Sequence, residues 1–518
     1  MFVTGASMMK NGLRPVKRVM LVFPPMYDIR QVDTMVCPPM GIASLAAYIR
    51  DIADVTLLDC LVEAPYRRTP VHGIIERVGL SYQEITDRIR SWAPDLVGLS
   101  CLFSGQAACI REISRRIKEE IDRDIVVVTG GTHPSFLPEM VLNTMAVDYV
   151  VLGEGELGLR AIIEAHNRGR DPETIDGLAW RDNGRVRVNP RSTWIDDLDA
   201  LPFPARDLLP MGKYYDFMVP MGLHWRKKRN APIISSRGCP HACPFCSSWR
   251  HWGKRFRKRS AENVLAEIAH LRERYGVQEL KWQDDNLTVD RKRARAIFTG
   301  MVEGGLSMPW NTPNGVALWT LDEEMIRLMK QSGCYEMTLA VESGSRTSFD
   351  AFVKKPFTFD RVREVARIAR KYGISTVGYF IIGFPGESLA AIRESMRFAL
   401  DLKLDYISPF IFNPLPGSEL WEKCLTEGYI NADYAYHEAN NYFQSDLATG
   451  DYTTADLRRI QVLSYFSNLC RLPFRNPKAF LDYYSRQILW DPKFLRTFLI
   501  HAFQAAAFIG RGNRGLGD

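Results

Sequence analysis

Cys239, Cys243 and Cys246 stand in a C-x3-C-x2-C run, just past an apolar strand signal at Ile233–Ser236. Gly238, Pro240 and Pro244 tighten the loop, so the three thiols can converge on one soft metal centre. Four thiolates would close a structural zinc site or fill every corner of a four-iron cluster. Three leave one corner open to a substrate or cosubstrate. The alternative is a three-cysteine zinc site completed by His241 or His251, although zinc pairs usually sit as C-x2-C with a second distant pair.

Further polar groups fall where strands are expected to end. Gln283, Asp284, Asp285 and Asn286 close a strand at Glu279–Gln283, and Glu342, Ser343 and Gly344 follow one at Glu336–Ala340. Gly378, Gly383, Gly386 and Glu387 surround the end of a third at Thr376–Ile382. Acidic residues at such ends often only cap helices, so each stretch alone says little. Their order at successive strand ends, behind a three-cysteine loop, is the informative feature.

Those positions need a scaffold, and the chain alternates strands with helices. Besides the strands above, the second half predicts strands at Gly315–Leu318 and Tyr406–Ile411, with helices at Ala261–Tyr275, Asp322–Ser332 and Phe359–Tyr372. Six such units read as a partial (β/α)6 barrel with function at the carboxyl ends. The first half predicts strands at Arg18–Phe23, Val55–Asp59, Leu96–Ser100, Ile125–Thr129 and Tyr149–Leu152. Helices are expected over Gly41–Ile52, Ser81–Trp92 and Gln106–Ile121. That pattern argues for a parallel, doubly wound sheet with ligands at the carboxyl ends of its strands. Ser100, Ser104, Gly105, Gly130, Gly131, Gly153 and Gly155 cluster at those ends, where small residues let a large flat ligand approach backbone.

At the three cysteines the chain resembles the radical S-adenosylmethionine (SAM) enzymes, whose motif is C-x3-C-x-aromatic-C. Phe245 supplies the aromatic, and Ser235 to Gly238 and Ser247 also look like that family's surroundings. The resemblance implies a [4Fe–4S] cluster on Cys239, Cys243 and Cys246, with SAM chelating the fourth iron and yielding a 5'-deoxyadenosyl radical. It assigns Gln283, Asp285 and Asn286 to the SAM amino group, Glu342 and Ser343 to its ribose and carboxylate, and Gly383 and Glu387 to the region of the adenine. One departure is a phenylalanine, Phe380, where that last motif carries isoleucine.

The first half resembles a cobalamin-binding domain. Carried over, Ser100, Ser104, Gly105, Gly130, Gly131, His133, Gly153, Glu154 and Gly155 would line the corrinoid. Many such domains hold cobalt through a D-x-H-x-x-G histidine, but here the segment reads Asp59, Cys60, Leu61, with leucine at that place. The resemblance therefore implies cobalamin without histidine ligation. His72 and His133 stay open as ligands, though a solvated or hydrogen-bonded histidine is the commoner arrangement. The whole is similar to the class B cobalamin-dependent radical SAM methyltransferases. These carry a methyl group from SAM through methylcobalamin to an unactivated carbon. Hydroxyethylphosphonate methyltransferases, carbapenem-pathway methylases and the anaerobic magnesium-protoporphyrin ester cyclase belong to this class, so a cyclase or rearranging enzyme is the alternative and the substrate is open.

The expected fold class is α/β: an N-terminal doubly wound Rossmann-like domain over 15–160, a connector over 161–229, the radical SAM barrel over 230–430 and a small helical C-terminal cap over 431–518. Gly177–Trp180 and Val186–Val188 suggest a hairpin across Asp182 to Gly184 within the connector. The cap is rich in aromatics, among them Tyr434, Tyr436, Tyr442, Phe443, Tyr465, Phe466, Tyr483, Tyr484 and Trp490. With 518 residues, 46% hydrophobic and 25% charged, the chain has the composition of an ordinary globular protein. A net charge of +7 permits an anionic partner without demanding one.

The basic run Arg250 to Arg259 reads first as a solvated loop and second as a grip on an anionic substrate, here a small molecule. Nucleic acid is disfavoured, since one short basic run lacks a supporting fold. Seven scattered cysteines (Cys37, Cys60, Cys101, Cys109, Cys334, Cys424, Cys470) form no disulfide framework and fit a reducing compartment. Met1–Lys10 lacks signal-peptide character, and Phe494–Ile509 is too short and too polar to span a bilayer, so a cytoplasmic location is expected. An electron donor such as flavodoxin or ferredoxin is implied by the resemblance.

Overall fold

The structure is a computed structural model that describes residues 14–29, 34–73, 75–170, 174–217, 224–431, 452–478 and 480–481, with 434, 447 and 449. Alternation along the first strand sets the layers around the N-terminal sheet. Val19 and Leu21 pack on one face with Ile42, Ala46, Leu159 and Ile162. Met20 and Val22 face the other way, against Ile85, Ile89, Ile110 and Ile113. Successive side chains of a strand point to opposite faces, so one four-residue stretch, Val19–Val22, feeds both layers.

This sheet has seven strands, in the order Arg185–Val188, Leu178–Asp182, Tyr149–Val151, Val126–Gly130, Leu96–Ser100, Arg18–Phe23, Asp54–Asp59. The last five are parallel. The chain leaves Arg18–Phe23 to one side and returns on the other, which opens a crevice at the strand ends where doubly wound folds bind ligands. The hairpin expected in the connector instead extends this sheet, pairing antiparallel with Tyr149–Val151. Leu178 and Trp180 fall into one core layer and Ala179 into the other, which is what fixes it there. A three-stranded side sheet of Met26–Ile29, Ile75–Val78 and Arg68–His72 was not foreseen. Its strands are short, and Pro70 inside one of them masks the pattern.

The second sheet has six parallel strands in chain order: Asn230–Ile233, Glu279–Trp282, Trp310–Val316, Cys334–Glu342, Ser375–Ile382 and Tyr406–Ile411. Helices Ala261–Tyr275, Arg291–Glu303, Glu323–Ser332, Phe359–Lys371 and Leu389–Asp401 connect them, giving the expected open barrel. The third strand begins earlier than the expected Gly315–Leu318. Trp310 is fully buried and stacks on Phe298 at 5.2 Å, which pulls the segment before it into the core. The first strand ends at Ile233 because Ser235 and Ser236 turn toward the Asp284 carboxylate, with hydroxyl donors at 2.7 and 2.5 Å.

Helix Thr454–Arg475 lies along the last strand. Gln461 donates to the Pro409 carbonyl at 2.7 Å and Asn468 to that of Asp405 at 2.8 Å, covering an otherwise open sheet edge. Tyr436, Tyr442, Phe443, Tyr483, Tyr484, Trp490 and the stretch Phe494–Ile509 lie outside the described residues. Among the described residues no helix is long and apolar enough to cross a membrane.

Candidate cofactor and active site

The carboxyl ends of both sheets open into one cavity of about 840 Å³, near the upper end for ligand pockets. Ser100, Ser104, Gly105, Gly130, Gly131, His133, Gly153, Glu154 and Gly155 all line it, together with Cys246, Gln283 and Asp285 from the barrel. Leu61, the residue in the place of the missing histidine, lines it too. The rim of the first sheet is shaped by backbone. Gly131 sits at φ 112° and ψ −173°, and a Cβ there would lie 2.5 Å from the Cys101 carbonyl oxygen. A Cβ on Gly105 would meet nothing within 4 Å, so this rim is clear for a bulky planar ligand. His133 is buried and shares a 3.0 Å hydrogen bond between Nδ1 and Ser104 Oγ. Burial pulls its pKa down to about 4, so the imidazole is neutral at pH 7. These features fit a corrinoid bound by shape.

Asp59, at the head of the altered motif, is buried and caps helix Cys60–Glu63 through the Leu61 and Val62 amides. It also accepts from the Tyr214 hydroxyl at 2.6 Å. Burial outweighs these bonds and lifts its pKa to about 6.

The cysteine loop is built around hydrogen bonds to sulfur. Asn286 Nδ2 donates to Cys239 Sγ at 2.8 Å, and the Ser248 amide to Cys246 Sγ at 3.4 Å. Ser248 Oγ donates to Asp285 at 2.5 Å, so thiol and carboxylate are tied to one residue. Burial pushes the Cys243 thiol up to about 11 and that of Cys246 up to about 12. Bound cations reverse that cost by deprotonating coordinating thiols outright. Among the described residues no group of three or more His, Cys, Asp or Glu could hold a single metal ion. His241 packs edge-on to Trp319 and His251 to Trp252, so a zinc site completed by either histidine is not formed. Three cysteines, two of them with donors aimed at their sulfurs and none with a fourth ligand among the described residues, suit a cluster with one open corner.

The other barrel positions behave differently. Glu342, at a strand bulge, takes the left-handed conformation (φ 67°), a strained state for a residue with a side chain. It pairs with Lys355 Nζ at 2.7 Å. Burial opposes the charge on Lys355, yet the Glu342 carboxylate and the neighbouring Cys243 hold its pKa above the ordinary lysine value. Lys355 also lies 5.9 Å from the ring of Phe245. The sequence reading missed it. As one of two adjacent lysines it looks like surface charge, and only the turn Phe349–Val353 folds it inward.

Ser343, Gly383 and Glu387 do not line the cavity. Ser343 Oγ accepts from the Ser345 amide at 3.2 Å. A Cβ on Gly383 would come within 2.7 Å of Leu457, so this glycine seats the C-terminal helix. Glu387 accepts from the Gly383 and Phe384 amides at 2.8 and 3.1 Å and from Ser348 Oγ at 2.5 Å, closing its own loop.

A buried ionic network joins the two rims. Glu154 pairs with Arg191, Arg237 and Arg257 at 2.6, 2.9 and 2.8 Å, and Glu156 with Arg237 at 2.6 Å. The Glu154 carboxylate is thus committed to guanidinium groups, although its residue lines the cavity. The basic run is largely consumed in the same way. Arg257 and Arg259 are buried in pairs with Glu154 and Glu267, while Lys258 pairs with Asp290 and Arg255 with Asp196. The grip on an anionic substrate read from this run therefore has little free charge behind it.

Comparison with known proteins agrees with this geometry. The radical SAM superfamily model matches residues 233–399 and the B12 binding domain model matches 29–163. The chain is 32% identical to cytidylyl-2-hydroxyethylphosphonate methyltransferase of Streptomyces wedmorensis, over 82% of this chain and 84% of that one. It is 27% identical to the anaerobic magnesium-protoporphyrin IX monomethyl ester cyclase of Rubrivivax gelatinosus, over 74% of this chain and 66% of that one. Its fold is similar to the radical SAM methyltransferase TsrM of Kitasatospora setae, solved with cobalamin and a [4Fe–4S] cluster bound. The TM-score is 0.64 at 17% identity, covering 80% of this chain and 75% of that one.

Proposed function

Since the chain belongs to the cobalamin-dependent radical SAM methyltransferases, we propose that it methylates an unactivated carbon of a small-molecule substrate held between its two sheets. The observation that carries this reading is the single cavity shared by the backbone-built rim and by Cys246 and Asp285. Two cofactors that open on one space can act on one carbon without releasing a radical to solvent.

Cys239, Cys243 and Cys246 are assigned to the cluster, with Asn286 and Ser248 steadying two of the sulfurs. When bound, the cluster and SAM supply the 5'-deoxyadenosyl radical and the corrinoid supplies the methyl group. Asp285 and Gln283 line the cavity beside Cys246 and are assigned to the SAM amino group. Lys355, with Glu342, presents a buried ammonium beside the cysteine loop and joins the residues assigned to SAM. Ser343, Gly383 and Glu387 serve that site through the shape of their loops rather than by direct contact. On the other rim, Leu61 leaves the corrinoid without an imidazole ligand, and His133 lines the pocket while held by Ser104. The first domain is taken to run on through the hairpin to Val188, and the remaining division follows the sequence reading. A reducing, cytoplasmic setting and a one-electron donor complete the proposal, supported by ten free cysteines.

The test is anaerobic reconstitution with iron, sulfide, hydroxocobalamin, SAM and titanium(III) citrate, followed by mass spectrometry. Formation of 5'-deoxyadenosine, S-adenosylhomocysteine and methylated corrinoid together is the expected result. Deoxyadenosine without the other two would overturn methyl transfer in favour of a cyclase or rearrangement. None of the three, from protein with a loaded cluster and corrinoid, would overturn the catalytic reading.

A further inference from the structure

The short helix that follows the cysteine loop has two dissimilar faces. Ser248, His251 and Trp252 line the cavity, at the spacing that places residues on one side of a helix. Trp249 and Arg250 do not line it. Gly253, at φ 84°, then turns the chain so that Lys254 returns over the outer face. Arg250 and Lys254 lie 5.0 and 4.9 Å from the Trp249 ring, and both are exposed.

Charge separates these two cations from their neighbours. Arg255, Arg257, Lys258 and Arg259 each have a carboxylate partner. Arg250 and Lys254 have none among the described residues and are held only by the indole face. Two exposed, unpaired cations therefore flank a half-buried indole, one residue beyond the amide that donates to Cys246 Sγ.

We propose that this outer face docks a small acidic electron-transfer protein. The inference rests on the methyltransferase reading, which needs a low-potential electron at the cysteine loop. Each productive encounter moves one electron: the carrier is oxidised by one electron and the iron–sulfur centre is reduced by one. That electron is consumed in breaking one sulfur–carbon bond of SAM, which yields methionine and the 5'-deoxyadenosyl radical. Unpaired surface cations speed such encounters by long-range attraction, and salt screens the effect.

The experiment uses the reconstituted full chain with two reductants, an acidic flavodoxin and titanium(III) citrate. For R250E/K254E, flavodoxin-supported formation of 5'-deoxyadenosine should fall about tenfold or more, and the Kd for flavodoxin by calorimetry should weaken similarly. With titanium(III) citrate the same variant should match the unaltered protein. R255E/K258E, which alters cations already paired, should lose much less with flavodoxin. Equal losses with both reductants would overturn the docking role, as would an unchanged flavodoxin rate and Kd. If the unaltered protein makes no 5'-deoxyadenosine with titanium(III) citrate, the methyltransferase reading itself fails and takes this inference with it.

Discussion

The two rims of the cavity are made of different materials. The rim of the first sheet is rich in glycine, with Gly105, Gly130, Gly131, Gly153 and Gly155 leaving room among mostly apolar side chains such as Leu61, Leu102 and Phe103. The barrel side offers sulfur-bearing and polar side chains held by partners: Cys246, Gln283 and Asp285 line the cavity, while Cys239 and the strained Glu342 with Lys355 do not. A large preformed ligand can be bound by shape alone. A centre where charge appears and disappears needs fixed dipoles and counter-charges. The contrast predicts that damage to one rim should leave the other measurably intact.

The most severe break is Cys246→Ala. Three sulfurs are the minimum for the cluster, so 5'-deoxyadenosine should fall to background and iron content should drop. Cobalamin retention, read by absorbance after gel filtration, should stay close to normal, because none of the glycine-rich positions depends on this thiol. Loss of corrinoid along with iron would show that the rims fold as one unit.

Next comes the network that joins them. Glu154→Ala strands Arg191 and Arg257 in a buried site and should cost about 3–5 kcal/mol. Arg255→Ala, which breaks an exposed pair with Asp196, should cost about 0–1 kcal/mol. Denaturant unfolding of both variants checks the difference. Glu156 gives the network a sign in pH. Burial would raise its pKa, but Arg237 and Ser44 together hold it below the ordinary glutamate value. Its stabilising contribution is therefore complete above that value and is lost as pH falls through the folded pKa.

Asp59, on the opposite side, should respond the other way. Its pKa rises from 3.8 to about 6 in the folded chain, so the stability it lends is present at low pH and lost as pH rises across that window. Asp59→Asn keeps an oxygen acceptor for the Leu61 amide, turns an NH2 donor toward the Tyr214 hydroxyl, which can accept it, and removes the charge. It should flatten the decline in unfolding free energy between about pH 4 and 6 and gain up to about 3 kcal/mol above it. An unchanged pH profile would mean that Asp59 is solvated in the folded state.

The same contrast explains what could be read from the sequence. Glycines at strand ends were legible because their reason is local: the strand stops, the backbone turns, and the residue type declares it. All nine positions assigned to that rim line the cavity. Side chains on the barrel rim were legible only as residue types. Nothing in the stretch around Glu387 says that its carboxylate closes its own loop, or that Ser343 turns inward, since both depend on amides placed by tertiary contacts. Lys355 was invisible for the converse reason, a charge made internal by a distant carboxylate. Pairing across domains, as in Glu154 with Arg237 and Arg257, has no short-range signature at all.

The smallest effect distinguishes two glycines of the backbone rim. Gly131 occupies a region of backbone space that is essentially reserved for glycine, and a Cβ would press on the Cys101 carbonyl. Gly131→Ala should therefore cost about 1–3 kcal/mol and lower cobalamin occupancy through a displaced loop. Gly105 has no such constraint, with open space where its Cβ would project. Gly105→Ala should leave the unfolding midpoint almost unchanged, and any loss of corrinoid would come from intrusion into the cavity. Thermal unfolding with and without added cobalamin separates the two cases. If the backbone rim binds by shape, the Gly131 variant is destabilised in both states and the Gly105 variant only loses part of its ligand-induced shift. Equal behaviour of the two would mean that these glycines serve packing between helix and strand, and that the corrinoid is held elsewhere along the cavity.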